Sequence, residues 1–286
     1  MSRPVKRSIL INGMTRTYLR VAPTGDATDR ALVLVLHGSN QSAKTIRRYS
    51  DRTFDSLASR GAVVAYLDGF RGDWNDARVM SISPARRNNV DDVAFVSAAI
   101  DDLVAEDNVD RTRVFIVGFS AGGYMTIRVI HEIPHRIAGA GLISATHAEA
   151  ANFIGSQYVS APMAVTLFHG TSDAFVKYNG ERARRRGLLR VGGMLSAPAT
   201  AEYFAHRNGI QALATQRRIA DDVWETVYEE GDRPRVRLFT ITGSGHAIPG
   251  SRGHPIAGRS TRSIVAAQVL ADHWGLPAPE ESAAAK

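Results

Sequence analysis

The hydrophobic positions fall into short near-continuous runs separated by longer amphipathic stretches. Ser8–Ile11, Thr17–Val21, Ala31–Leu36, Ala62–Leu67, Val114–Phe119, Ala140–Ser144, Ala164–Phe168 and Val236–Ile241 read as strands. Several are almost pure Val, Leu and Ile, the composition of parallel strands buried on both faces. Between them lie helical patterns. Val93, Val96, Ile100, Leu103 and Val104 line one face of a helix over Asp91–Glu106, with Asn89 or Asp91 at its cap. Ala43–Ser59 reads as a helix stopped by Gly61. Ala121–His131, Thr200–Asn208 and Thr261–Trp274 read as three more, the last closed by Gly275 and Pro277. Strands alternating with helices predict an α/β fold, with a mostly parallel twisted sheet and helices on both faces.

No repeat, low-complexity linker or charge block marks a boundary, so residues 1–286 are expected to form a single domain with a flexible tail from about 278. The longest stretches without a pattern are Asp68–Asn88, Phe175–Ala197 and Ile248–Arg259. In such folds the loops after strand C-terminal ends carry the site.

Composition changes this picture little: 44% of residues are hydrophobic and 22% charged. The absence of cysteine excludes disulfides, thiolate catalysis and cysteine-based metal centres. No run approaches the roughly 18 apolar residues of a membrane span. The basic start, Met1–Arg20, lacks the apolar core of a secretory signal, which makes the cytoplasm the default expectation and leaves the compartment open. The formal net charge of +7 is mostly arginine, densest at Arg182, Arg184, Arg185, Arg186 and Arg190. No nucleic-acid motif accompanies that cluster, so it reads as a solvated loop, with a lid over a cleft as the alternative.

The chemistry is concentrated in Val114–Ile130, where a strand meets Gly118-Phe119-Ser120-Ala121-Gly122 and then a helix. This is the pattern of a nucleophile elbow, in which small neighbours allow a tight turn and the serine projects alone above the sheet edge. The Ala121 N–H, at the positive end of the helix, is placed to stabilise an oxyanion. A serine hydroxyl needs a base, and the base needs a carboxylate to orient it. Asp173 follows a strand in His169-Gly170-Thr171-Ser172-Asp173, and His246 follows another in Thr242-Gly243-Ser244-Gly245-His246. They are the candidate acid and base, in the chain order Ser, Asp, His. Asp221 and Asp222 are weaker choices for the acid because they are not at a clear strand end, and His254 and His147 are the rival bases. The loop after Leu34–Leu36 supplies the second oxyanion donor, the N–H of Ser39, with His37 shaping that loop. Trp74, Phe119 and Ile248 are candidate substrate contacts. No metal or cofactor is implied.

These residues resemble a known group. His37-Gly38, "GFSAGGYM" at Gly118–Met125, "HGTSD" at His169–Asp173 and "GHAIPG" at Gly245–Gly250 are similar to the polyhydroxybutyrate depolymerase and feruloyl/acetylxylan esterase-like family. That family is the carbohydrate-esterase branch of the α/β-hydrolases that includes the LpqC-type esterases. The resemblance runs from about Ile9 to Trp274. It implies a serine esterase with nucleophile Ser120, acid Asp173, base His246 and oxyanion N–H groups of Ser39 and Ala121, acting on a small-molecule or oligomeric ester. Where many members carry tryptophan after "GHA", this chain has Ile248. An acyltransferase on the same elbow, an oligoester depolymerase and a non-catalytic binding protein are the alternatives.

Overall fold

The computed structural model describes residues 3–25, 28–155, 161–186, 189–253 and 256–278. Twelve strands run in chain order: β1 Val5–Ile11, β2 Met14–Val21, β3 Arg30–Leu36, β4 Val63–Leu67, β5 Val109–Phe119, β6 Gly139–Ile143, β7 Ala164–Gly170, β8 Arg184–Arg186, β9 Leu189–Val191, β10 Thr215–Ala220, β11 Val223–Tyr228 and β12 Val236–Ile241. The helices are α1 Ala43–Tyr49, α2 Pro84–Arg87, α3 Asp92–Asp107, α4 Ala121–Glu132, α5 Ala197–Arg207 and α6 Ala266–His273. Ten strands form one sheet in the order β1-β2-β4-β3-β5-β6-β7-β12-β11-β10, while β8 and β9 pair separately. The six central strands from β4 to β12 are parallel, and the two strands at either edge pair antiparallel.

Successive strand residues point to opposite faces, and both faces are covered. Leu32, Leu34 and Leu36 of β3 face a core built with Val96, Ile100, Met125 and Phe204 from α3, α4 and α5. Val33 and Val35 face the other core, with Ile46 of α1, Phe54 and Leu57 of a 3₁₀ turn at Thr53–Arg60, and Leu270 of α6. This is the α/β-hydrolase fold. The strand order reverses between β3 and β5, which opens a crevice above their carboxyl ends.

All eight strands read from the sequence are present, Val236–Ile241 with the same ends and the other seven with shifted ones. Four were not read. β10 and β11 form an edge hairpin, and β8 and β9 a small one within the arginine cluster. β10 is polar over Thr215–Arg218 and exposed up to Ile219, so it carries no apolar alternation to read. Its Arg217 pairs with Glu225 of β11, a charged edge that discourages further strand pairing. The helix expected over Ala43–Ser59 breaks after Tyr49, where Asp51 and Arg52 adopt left-handed backbone. The last helix starts at Ala266 and not at Thr261. The preceding segment braces the His246 loop: Gly250 N–H donates to Thr261 O at 2.9 Å, and Ala266 N–H to Pro249 O at 3.0 Å. The expected tail and the rival base His254 lie outside the described residues, apart from Ala278 at the start of that tail.

Candidate active site

β5 delivers Ser120 at its carboxyl end. The Ser120 backbone sits at φ 54°, ψ −118°, a strained conformation for a residue with a side chain. The turn has no room for larger neighbours. A Cβ on Gly118 would come within 2.5 Å of Gly123 N, and one on Gly122 within 2.6 Å of His37 O. Ser120 N–H donates to Ile143 O of β6 at 2.9 Å, and Gly123 N–H to Ser120 O at 2.8 Å as α4 begins. The serine is held from both sides and stays partly exposed.

The loop after β3 lies against it. A Cβ on Gly38 would sit 3.3 Å from Ser120 Cβ, so the backbone carrying Ser39 passes directly beside the serine. Buried His37 holds that loop with both ring nitrogens. Gly69 N–H donates to its Nε2 at 2.8 Å, so Nδ1 carries the proton given to Gly38 O, also at 2.8 Å. Burial pushes the His37 pKa down, which keeps the ring neutral and that tautomer in place. Gly38 N–H donates to Gln41 Oε1 at 3.0 Å. Ser39 itself is exposed, with its hydroxyl 3.4 Å from Asp73 Oδ1.

β7 and β12 are parallel neighbours, so the loops that follow them meet. His246 Nδ1 and Asp173 Oδ2 are 2.8 Å apart and buried. The other carboxylate oxygen accepts the N–H groups of Phe175 at 2.9 Å and Val176 at 2.8 Å. Burial alone would raise the Asp173 pKa. The hydrogen bond from His246 and the Val176 N–H outweigh it and hold the carboxyl below its ordinary range. His169 Nε2 donates to Val176 O at 2.9 Å and lies 3.7 Å from Asp173 Oδ2. The Tyr49 hydroxyl donates to His246 O at 3.0 Å.

The structure thus joins Asp173 to His246 and Ser120 to the Ser39 loop. Phe119 links the two groups, its ring 4.8 Å from that of His246 and 5.2 Å from that of Tyr49. Trp74 and Ile248 are corrections. Both are wholly buried and neither can touch a substrate in this conformation. The Trp74 indole N–H donates to His37 O at 2.8 Å, making it a support of the β3 loop. Ile248 packs in the core under the His246 loop, and its carbonyl accepts the Ser251 and Ser260 hydroxyls. Phe119 is only 4% exposed and acts as packing beneath the imidazole. The rival base His147 is buried against Phe153 and Tyr203, away from this cluster.

Sequence reasoning missed Tyr49, His169 and Phe175. Phe175, 58% exposed, has its ring 5.3 Å from that of His246. It forms one wall of a cleft of about 200 Å³ whose lining includes Arg78, Tyr124, Lys177, Glu181 and Met194. Tyr124 stands one turn along α4 from Ser120. Phe175 had one sequence signal, its position two residues past the candidate acid. Tyr49 had none, because its partner is 197 positions away.

A family model of phospholipases and carboxylesterases matches residues 20–192. The chain belongs to that family. This carboxylesterase-family chain is 29% identical over 267 residues to the putative esterase NocK of Nocardia uniformis subsp. tsuyamanensis, covering 85% of this chain and 74% of that protein. It is 28% identical over 233 residues to feruloyl esterase B of Piromyces equi, covering 79% of this chain and 41% of that protein. Among solved structures, the acetyl xylan esterase from Aspergillus awamori superposes with a TM-score of 0.66 at 14% identity, covering 95% of this chain and 99% of that one. The chain is an esterase-like hydrolase. No helix among the described residues is long and apolar enough to cross a membrane.

Proposed function

We propose that this chain hydrolyses carboxylic esters of small to medium acyl chain through an acyl-enzyme intermediate. His246 takes the Ser120 proton as Oγ attacks the ester carbonyl. The tetrahedral oxyanion accepts hydrogen bonds from the N–H groups of Ser39 and Ala121. The intermediate collapses, and the imidazolium gives its proton to the leaving alkoxide, which departs as an alcohol. Water then attacks the acyl group with His246 again as base, and the acid is released as Ser120 recovers its proton. Asp173 holds the Nδ1–H tautomer and balances the imidazolium charge. Each oxyanion donor is worth about 3–4 kcal/mol in the transition state by the measure of donor deletions elsewhere.

The observation that carries this reading is the 2.8 Å bond between His246 and a carboxylate already fixed by two backbone N–H groups. Partial exposure of Ser120 favours water as acceptor over an added alcohol, and so hydrolysis over acyl transfer. The names of the relatives add feruloyl, acetylxylan and poly(3-hydroxyalkanoate) esters as substrates to assay. Treatment with a fluorophosphonate followed by peptide mass spectrometry tests the assignment. One adduct on the peptide containing Ser120 is expected. A protein that takes no label, or is labelled elsewhere, refutes it.

A further inference from the structure

The cleft beside Phe175 holds a guanidinium prepared on one edge and free on the other. Asp76, whose side chain is wholly buried, accepts from Arg78 Nη2 at 2.6 Å and from Nε at 3.1 Å. The Arg78 backbone N–H donates to the same carboxylate at 2.8 Å. The face of the guanidinium lies over Tyr124, with Cζ 4.1 Å from the ring centre. Two bonds and a stack leave the group almost no freedom. Among the described residues Nη1 has no acceptor, and the side chain keeps 27% of its exposure at the cleft. Burial works against the charge, but the Asp76 carboxylate overrides it and holds the Arg78 pKa above its ordinary value.

The neighbours define the charge at this end. Lys177 lines the same cleft and has no carboxylate within ion-pair distance among the described residues. Glu181 is the opposing charge in the lining and is engaged by an interaction of its own. Asp73 lies within electrostatic reach of Arg78, and its Oδ1 is engaged by the Trp74 N–H at 3.0 Å and by the Ser39 hydroxyl at 3.4 Å. Arg86 reinforces the positive side, donating to the carbonyls of Asp76 and Arg78. Phe175, whose ring is 5.3 Å from that of His246, and Ile82, Met80 and Met194 give the lining its apolar surface. A limb lying here meets apolar surface together with a fixed donor edge. That pattern suits a carboxylate better than a hydroxyl, because a planar pair of oxygens matches the donor fork and its charge pairs with Arg78 and Lys177.

Building on the esterase reading, we propose that the substrate is an ester with a carboxylate-bearing limb, bound with that carboxylate against Arg78 and Lys177. Paired substrates separate a charge on the acyl limb from one on the alcohol limb. Monoethyl adipate against ethyl hexanoate places the carboxylate on the acyl side, and 4-acetoxybutanoate against butyl acetate places it on the alcohol side. Followed by pH-stat at neutral pH, one anionic ester is expected to show a KM about tenfold or more below that of its neutral partner, an advantage that shrinks with added NaCl. Removing the guanidinium with its counter-charge, in the double substitution Asp76→Asn and Arg78→Met, is expected to bring that ratio close to one. Should that variant fail to fold, Lys177→Gln is expected to lower the same ratio severalfold. Neutral esters turned over as well as both anionic ones by the unmodified protein would overturn the proposal and leave the esterase reading standing. No turnover of any ester, together with no labelling of Ser120 by the fluorophosphonate, would overturn the esterase reading and this proposal with it.

Discussion

At the scale of single residues, the site separates atoms assigned to chemistry from atoms that hold them. Ser120→Ala should remove nearly all turnover, on the order of 10⁶-fold in kcat by comparison with other serine hydrolases. Asp173→Asn keeps the shape but presents an amide in place of an acceptor to His246 Nδ1, and should cost about 10⁴-fold. Steady-state kinetics on one activated ester checks both, and an unchanged rate in Asp173→Asn would mean that the acid is misassigned. Trp74→Phe is a subtler case. It keeps the ring in the core but removes the N–H bonded to His37 O, so kcat should fall severalfold with KM little changed, the mark of a support acting through the β3 loop. The polar residues of the candidate site were legible because each follows a strand end in a glycine-bearing loop. Trp74 and Ile248 were misread because a sequence places a residue near a loop without saying which way its side chain turns. Trp74 turns inward because its indole N–H has a buried carbonyl to satisfy.

Among the elements, the elbow is the one with least tolerance. A Cβ at Gly122 would meet the backbone of Leu36 and His37, which cannot retreat without moving β3. Gly122→Ala should therefore destabilise the fold by about 1–3 kcal/mol, read as a lower urea midpoint at an unchanged slope, and should displace the Ser39 loop as well. An unaltered midpoint would show that β3 and α4 can separate at little cost. The same level explains which elements could be read. The parallel strand β3 and the buried half of β5, Val114–Phe119, announce themselves because burial on both faces demands runs of apolar residues. The edge strand β10 is held by its ladder with β11 and by Arg217–Glu225, neither visible as a local pattern. The break after Tyr49 was hidden for a related reason. Asp51 and Arg52 take left-handed backbone without a glycine, and the Arg47–Asp55 ion pair spans the break.

Over the whole molecule, buried histidines link stability to pH. His131 and His147 lie with their rings 5.6 Å apart, under Phe153 and Tyr203. Burial first, and Arg207 nearby, push the His131 pKa down to about 3 and the His147 pKa down to about 4. In the unfolded chain both return to about 6.5. Between those values the unfolded state binds more protons than the folded one, so acid favours unfolding. Stability should be full above about pH 6.5 and fall as pH drops toward 4, by up to about 1.4 kcal/mol per pH unit for each histidine. Urea unfolding at pH 7.5, 5.5 and 4.5 measures this, and His147→Phe should flatten the decline. Equal midpoints at the three pH values would mean that these rings are protonated in the native state.

In the proposed reaction Ser120, activated by His246 and Asp173, attacks the ester carbonyl. Hydrolysis of 4-nitrophenyl acetate, butyrate and octanoate by the unmodified protein beside Ser120→Ala tests it most directly. With Ser120 as the nucleophile, turnover should disappear in Ser120→Ala at all three chain lengths, with a preference among the shorter acyl groups. Equal rates in the two proteins would contradict it and remove Ser120 as the nucleophile.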